Sequence, residues 1–475
     1  MSRAKLTAMT LTAIYTIAVP QFAFAAPNKP PVLPMNSDSP DNQKNNEATQ
    51  VTPDLDYSRW KYHHFHHDAT DLRDIRILLK DGVHSVNVKP SPIPLDFLSL
   101  GFNNQGKEFL VVLSGAVTDS TRGNSSPPYF SGVGLASDLH LPLFAISDPS
   151  LALSHDLNLA WYAGNHYTPD LFTHIADVVD SLAQRTGKKP ILLGGSGGGF
   201  AAIQILKRLK TPATAIAWNP QTSIGGYYLR AVKRYVTTAY PNIKIPSDAS
   251  RDSNAFQSFM DRDLDKTQHR LPVAASLSAE SELIYLQNIS DDYHRRNHAG
   301  PWLKSVPFLR IGNGAYLSSK RNILFFTGDW GDGHAAPSPA IIKNLVTQVI
   351  KTDSLDLVGL SLTRSSVAAK VPVNWFHADA GLISHVKISA SQSDVGLRVE
   401  AEIPSQLGKS EDFEYAFEVF SGTTSINRIW YQSGASAILP ITEPGEYRIK
   451  VYLRDKFDAI KSVAIQKNFQ VNSQR

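Results

Sequence analysis

The chain has 475 residues, enough for two or three domains and at least one large core. Its 42% hydrophobic and 19% charged content exclude a disordered or fibrous protein, and a net charge of +4 without any basic cluster argues against a nucleic-acid partner. With no cysteine the chain has neither disulfides nor a site for lipid attachment at a thiol.

The first 25 residues read as an export signal. Arg3 and Lys5 form a charged start, Leu6 to Val19 is an apolar run too short to span a bilayer, and Ala23-Phe24-Ala25 is a small-residue cleavage pattern. No later stretch reaches membrane-spanning length. The expectation is an exported bacterial protein, periplasmic or extracellular. Residues 26–55 are rich in Pro, Asn, Asp, Ser and Gln and read as a disordered linker.

From residue 56 to about 105 the pattern is short strands and turns, with Asp81-Gly82 predicting a hairpin between Ile75–Leu79 and Val83–Val88. His63, His64, His66 and His67 lie within it. Alternation along a strand sends them to opposite faces, so they read as structural or surface residues rather than metal ligands. Buried strands follow at Glu108–Ser114 and Pro142–Ile146, and Thr168-Pro169-Asp170 predicts the start of a helix ending at Gly187.

Lys188 to Leu209 is the most informative stretch. Ile191-Leu192-Leu193 is a short apolar strand, Gly194 to Gly199 a turn with Ser196 at its apex, and an Ala/Leu-rich helical pattern comes next. Gly194, Ser196 and Gly198 fit the nucleophile-elbow pattern G-x-S-x-G. Glycines flank the serine because a side chain there would clash across so tight a turn. A phosphate-binding loop would need a Lys after the glycines. A dinucleotide fingerprint fits only loosely and lacks its acidic residue some 20 positions on.

Thr214–Trp218 is the next strand, and 221–280, with looser periodicity, reads as a cap inserted over the site. Leu283–Gln287 and Asn322–Thr327 are further strands. The first is followed by Asp291 and Asp292 and the second by His334, after which Ser338-Pro339 opens a helix. Alternating strands and helices predict an α/β fold, a mostly parallel sheet with helices on both faces, over residues 56–351. Ligands in such sheets sit at the carboxyl ends of strands.

Ser196, then Asp291 or Asp292, then His334 all fall there, in the chain order of an α/β-hydrolase triad. Ser196 is the expected nucleophile, His334 the base and Asp291 the acid, with Asp292 as the alternative acid. Gly197 and Ala116 N–H groups are the expected oxyanion hole. His294 and His298 follow the acid strand too closely to be the expected base. No spacing resembles H-E-x-x-H, and no metal or cofactor is expected.

Residues 352–383 read as a loose connector. From 384 to 475 alternation such as Leu397, Val399, Ala401 against Arg398, Glu400, Glu402, and about seven short strands, predict an all-β Ig-like sandwich. Trp430, Tyr431 and Tyr452 are candidates for stacking on sugars, though such aromatics more often pack.

Leu110–Val117, Ile146–Leu151, Leu159–Asn165, Leu192–Ile203, Trp218–Ile224 and Tyr285–His294 resemble α/β-hydrolase-like proteins of bacterial surface-glycan systems, distantly the glycan-acetylating accessory secretory proteins of the accessory Sec system. The resemblance covers about Phe97 to Ile350. It implies serine-esterase chemistry at Ser196, Asp291 and His334, and a role in glycan O-acetylation. The expected function is therefore a secreted serine esterase acting through an acyl-enzyme on an acylated glycan or another ester-bearing small molecule. An O-acyltransferase with the same triad and a non-catalytic glycan-binding protein are the alternatives.

Overall fold

The computed structural model describes residues 54–69, 79–271, 280–303, 308–312, 314–352, 354–363, 386–403, 413–441, 443–455 and 458–472, with positions 277, 306, 365, 367, 368 and 410. The predicted export signal and almost all of the predicted linker lie outside the described residues.

One eleven-stranded sheet organises residues 64–328. In chain order its strands are β1 (His64–Ala69), β2 (Gly82–Val88), β3 (Leu95–Leu100), β4 (Glu108–Leu113), β5 (Leu143–Ile146), β6 (Lys189–Gly195), β7 (Thr214–Trp218), β8 (Glu282–Asn288), β9 (Phe308–Gly312), β10 (Ala315–Ser318) and β11 (Ile323–Gly328). Their spatial order is β1-β2-β3-β5-β4-β6-β7-β8-β11-β10-β9. The six strands β5, β4, β6, β7, β8 and β11 are parallel, and β3 runs against both of its neighbours. An antiparallel strand ahead of a parallel set, with β5 and β4 exchanged, is an α/β-hydrolase-like fold.

Both faces of the parallel strands are covered, which is why they read as continuous apolar runs. Val111 and Leu192 face a core shared with the helices Leu171–Thr186 and Gly197–Arg208; Val112 and Leu193 face the opposite core, shared with the helix Pro339–Lys351. Alternation along each strand divides the two.

Several expectations need correction. Both edges of β2 are taken, by β1 in parallel and β3 in antiparallel register, which leaves none for the predicted hairpin partner; residues 75–78 lie outside the described residues. The helix expected from Thr168 starts at Leu171, because Asn165 pairs with Thr168 in an isolated bridge and Asp170 becomes the cap residue. Asn322–Thr327 is not preceded directly by the acid strand: a β9–β10 hairpin intervenes and extends the sheet past β11. The connector opens with a helix, Leu355–Thr363, whose Leu355, Val358 and Leu362 are buried against the sheet. The segment 221–280 buries Ile224, Val232, Tyr235, Phe256 and Met260 in the main core, so it is packed structure as much as a cover.

The C-terminal region forms two antiparallel sheets. β12 (Lys387–Ser393), β13 (Gly396–Glu402) and β16 (Ser436–Leu439) make one; β14 (Phe413–Ser421), β15 (Thr424–Gln432), β17 (Gly445–Asp455) and β18 (Asp458–Val471) make the other. Leu397, Val399, Tyr415, Phe417, Ile449 and Val451 join in one core, as an Ig-like sandwich requires. Trp430 is 68% exposed beside Arg428, and Tyr452 donates to Glu418 on that face (2.6 Å); a register shift between Tyr415 and Phe417 sets Trp430 and Tyr431 together opposite Ala416, and the Tyr431 phenol is near enough to help raise that of Tyr452.

Candidate active site

β6 ends at Gly195, a helix begins at Gly197, and Ser196 between them has φ 55° and ψ −118°. A side-chain-bearing residue in this region is strained and persists only where its surroundings hold it. Ser196 N–H donates to Trp218 O of β7 (2.9 Å), and the glycines let three backbones meet. A Cβ on Gly194 would lie 2.2 Å from Gly198 O, and one on Gly198 2.3 Å from Leu113 O at the end of β4. The turn therefore sits directly against the loop that carries Ala116, while Gly197 opens the helix with its N–H at the positive end of the helix dipole.

Asp291 is buried just past β8, and one carboxylate serves two imidazoles. His334 Nδ1 lies 2.5 Å from Oδ2, and His294 Nδ1 lies 3.1 Å from Oδ1. The two rings stack with centroids 4.0 Å apart at 20°. Ser196 Oγ accepts a hydrogen bond from Gln221 Nε2 (2.8 Å), and that nitrogen lies 2.9 Å from His294 Nε2. Among the described residues the serine's partner is thus Gln221 rather than His334. The structure joins Asp291 to His334, and joins Ser196 to Asp291 through Gln221 and His294.

Electrostatics assign the protons. Burial lowers His294 to about 4, more than the adjacent Asp291 raises it, so its imidazole is neutral. Its Nδ1–H then donates to Asp291, and its Nε2 accepts from the Gln221 amide. Burial alone would raise Asp291, but hydrogen bonds and charge from His294 and His334 outweigh it and hold the carboxyl well below the usual carboxylate range. His298, behind His294, is driven well below its ordinary value chiefly by burial, and its Nδ1 accepts from Thr222 N–H (3.2 Å).

Asp291, His294 and His334 are close enough to be weighed as a metal site. Stacked, nearly parallel rings point their Nδ1 atoms side by side at Asp291, however, whereas a metal needs the nitrogen lone pairs of its ligands to converge on it at about 2.1 Å. The arrangement suits proton handling. The other histidine cluster has local partners: His64 Nε2 meets Ser85 Oγ (2.7 Å) and His67 Nε2 meets His84 Nδ1 (3.1 Å).

Three strand ends are tied together around these groups. Asn219, just past β7 with φ 43°, donates to Ala335 O (2.7 Å) and accepts from Asn288 N–H (2.7 Å). Asn288 in turn donates to Gly331 O (2.7 Å) and Gly333 O (2.8 Å), fixing the loop that presents His334. Tyr162 OH accepts from Ser114 N–H and donates to Ile146 O, both at 2.9 Å, holding the loop toward Ala116. The alternative acid Asp292 is on the surface, paired with Arg295 (2.7 Å) and Arg296 (3.4 Å).

Gln221, His294, Asn219 and Tyr162 were not among the expected site residues. Only the Asn219-Pro220 stop after β7 hinted that this strand end matters. His294 lies three residues from Asp291, a spacing that places both on one side of a helical turn.

No protein-family model and no curated sequence matches the chain. Among solved structures it is similar to the capsule O-acetyltransferase of Neisseria meningitidis serogroup A, at 17% identity and a TM-score of 0.37 over 56% of this chain and 96% of that one. An α/β hydrolase from Sphaerobacter thermophilus is 14% identical over 55% of this chain and 96% of its own, with a TM-score of 0.30. An S-formylglutathione hydrolase from Agrobacterium tumefaciens is 14% identical over 57% and 92%, with a TM-score of 0.32. Likeness at this level concerns architecture alone.

Proposed function

We propose that the protein is a serine hydrolase of the carboxylic-ester type. The observation that carries this reading is the elbow: Ser196 in a strained turn between β6 and a helix, with an Asp291–His334 pair at the ends of β8 and β11 in the same sheet. Ser196 attacks the ester carbonyl, His334 accepts its proton through Nε2, and Asp291 holds the Nδ1–H tautomer and offsets the imidazolium charge. Gly197 N–H and Ala116 N–H take the developing oxyanion. His334 then protonates the leaving alcohol, and water releases the acid. An acylated glycan or another ester outside the cell is the substrate that fits the export signal in the sequence. Attack by a sugar hydroxyl in place of water would make the same acyl-enzyme a transferase.

Labelling with a fluorophosphonate, read by intact mass, tests the proposal. One adduct on the full chain that disappears in Ser196→Ala is the expected result. A folded protein that takes no adduct would refute it. With an acyl donor and an oligosaccharide present, free acid indicates hydrolysis and acylated sugar indicates transfer.

A further inference from the structure

Beside the elbow lies a cavity of about 270 Å³. Its wall is built from chain neighbours of the proposed catalytic groups, not from Ser196, Gly197 or His334 themselves. Gly195, adjoining Ser196, lines it; so do Ser114, Gly115 and Ala116 after β4, and Ala336 and Pro337 just beyond His334. The remainder is mainly apolar; of the other polar groups on the wall, the Thr118 and Thr121 hydroxyls bond each other at 2.8 Å, the Tyr129 hydroxyl donates to Ser125 O, and the Trp218 indole N–H is the donor left over. Val112 and Leu193 form the floor from the sheet, and Leu135 and Ile342 close the sides from two helices.

Among the described residues, no charged side chain lines it. The two serine hydroxyls present, Ser114 and Ser131, bond each other at 2.9 Å, so neither calls for a partner from a ligand. A sugar ring carries donors and acceptors all round, and burying them without partners is costly. An aliphatic chain has none. At roughly 30 Å³ for a group the size of a water or methylene, the volume holds a chain of about six to nine carbons.

We infer that this cavity is the acyl pocket and that the substrate carries a medium-length aliphatic acyl group rather than acetyl. The inference rests on the serine-esterase reading, with any sugar moiety left outside the pocket on the alcohol side of the ester.

The test is a series of p-nitrophenyl esters from acetyl to dodecanoyl, hydrolysed by the full chain. kcat/KM is expected to rise about fourfold for each added methylene, the gain from burying one CH2, up to about octanoyl and to fall beyond it. Leu135→Trp, which fills the side wall, is expected to lower the ratio of octanoyl to acetyl turnover at least tenfold. Thr121→Trp at the exposed lip gives the same readout if the first variant folds poorly. Acetyl turned over as well as octanoyl would overturn the inference. So would a gain from lengthening the alcohol of acetyl esters, which would place the alcohol in the cavity. If no ester is turned over, the esterase reading falls. The cavity is then judged by thermal shift: stabilisation by octanoate but not acetate, lost in Leu135→Trp, supports an aliphatic pocket, and no stabilisation overturns it.

Discussion

Asp291 divides one carboxylate between two imidazoles that differ in exposure: the His294 side chain is 3% exposed and that of His334 24%. The buried ring is kept neutral and spends both nitrogens inside the protein, on Asp291 and Gln221. Under the proposed mechanism His334 is then the group left to exchange protons with substrate, and His294 is a positioning residue, holding the amide that holds Ser196 Oγ. His334→Ala is therefore expected to lower kcat/KM by about 10³ to 10⁴, the usual contribution of a general base with its orienting acid. Gln221→Ala is expected to lower kcat about 10²-fold with KM little changed, the cost of a nucleophile displaced by about an ångström. A larger loss in His294→Ala than in His334→Ala would reverse the two roles. A second titratable residue gives a test of stability. Burial pushes Asp96 up to about 7, despite hydrogen bonds from Ser85 and Tyr57. The unfolded carboxyl ionises near 3.8, so from there to pH 7 the native state keeps a proton that the unfolded chain has released. Stability falls as pH rises through that window. Asp96→Asn keeps a neutral acceptor and removes the penalty. It should be more stable than the parent at pH 8 by up to about 4 kcal/mol, roughly three units at 1.4 each, with the gap closing toward pH 4. Denaturation midpoints at the two pH values check this, and a difference independent of pH would count against it.

The chemistry lies in loops, but the strand ends set where those loops stand. Asn288 closes β8 and donates to two carbonyls of the loop after β11, so the strand that precedes Asp291 itself fixes the loop that presents His334. Asn288→Ala removes both bonds without opening the core. The expected effect is a loss of kcat of about 10- to 100-fold, since small misplacement of catalytic groups is costly, with the denaturation midpoint only slightly lower. A large stability loss with unchanged kcat would make Asn288 merely structural. The parallel strands were legible in the sequence because burial on both faces leaves continuous apolar runs, and Thr214–Trp218 has the expected bounds. The elbow was legible because its glycines have a steric cause that no other residue satisfies. The β9–β10 hairpin was missed although Asn313-Gly314 is a strong turn signal, because Arg310 interrupts the first strand's apolar pattern. Gln221 and His294 are 73 residues apart and meet only through the packing of 221–280, so no local pattern announces them. Trp161 and Tyr162, with φ of 55° and 57°, are likewise set by tertiary bonds, including Tyr162 N–H to Asp148 Oδ2 at 2.6 Å.

At the scale of the molecule two sets of buried residues stand apart. The large sheet is covered by its own helices, and among the described residues the sandwich core from Val386 to Val471 contains none from that sheet. Separate cores imply separately cooperative units, with the proposed boundary near 384. The full chain is then expected to unfold in two calorimetric transitions. The place where the hydrolase-like unit ends also bears on its site. After the helix Leu355–Thr363 the chain returns to the sheet: Asp329 N–H donates to Val367 O (2.8 Å), and Gly328 bridges Ala368. Asp329 begins the loop that presents His334, so this short return pins the base loop from the side opposite Asn288. A chain ending after Ala368 keeps the pin and is expected to label at Ser196 within about twofold of the full-length rate. A chain ending after Thr363 loses it, and its labelling rate is expected to fall about tenfold or more. Equal rates would show that the loop is held by Asn288 and Asn219 alone; loss in both would show that the sandwich is needed for the site to form.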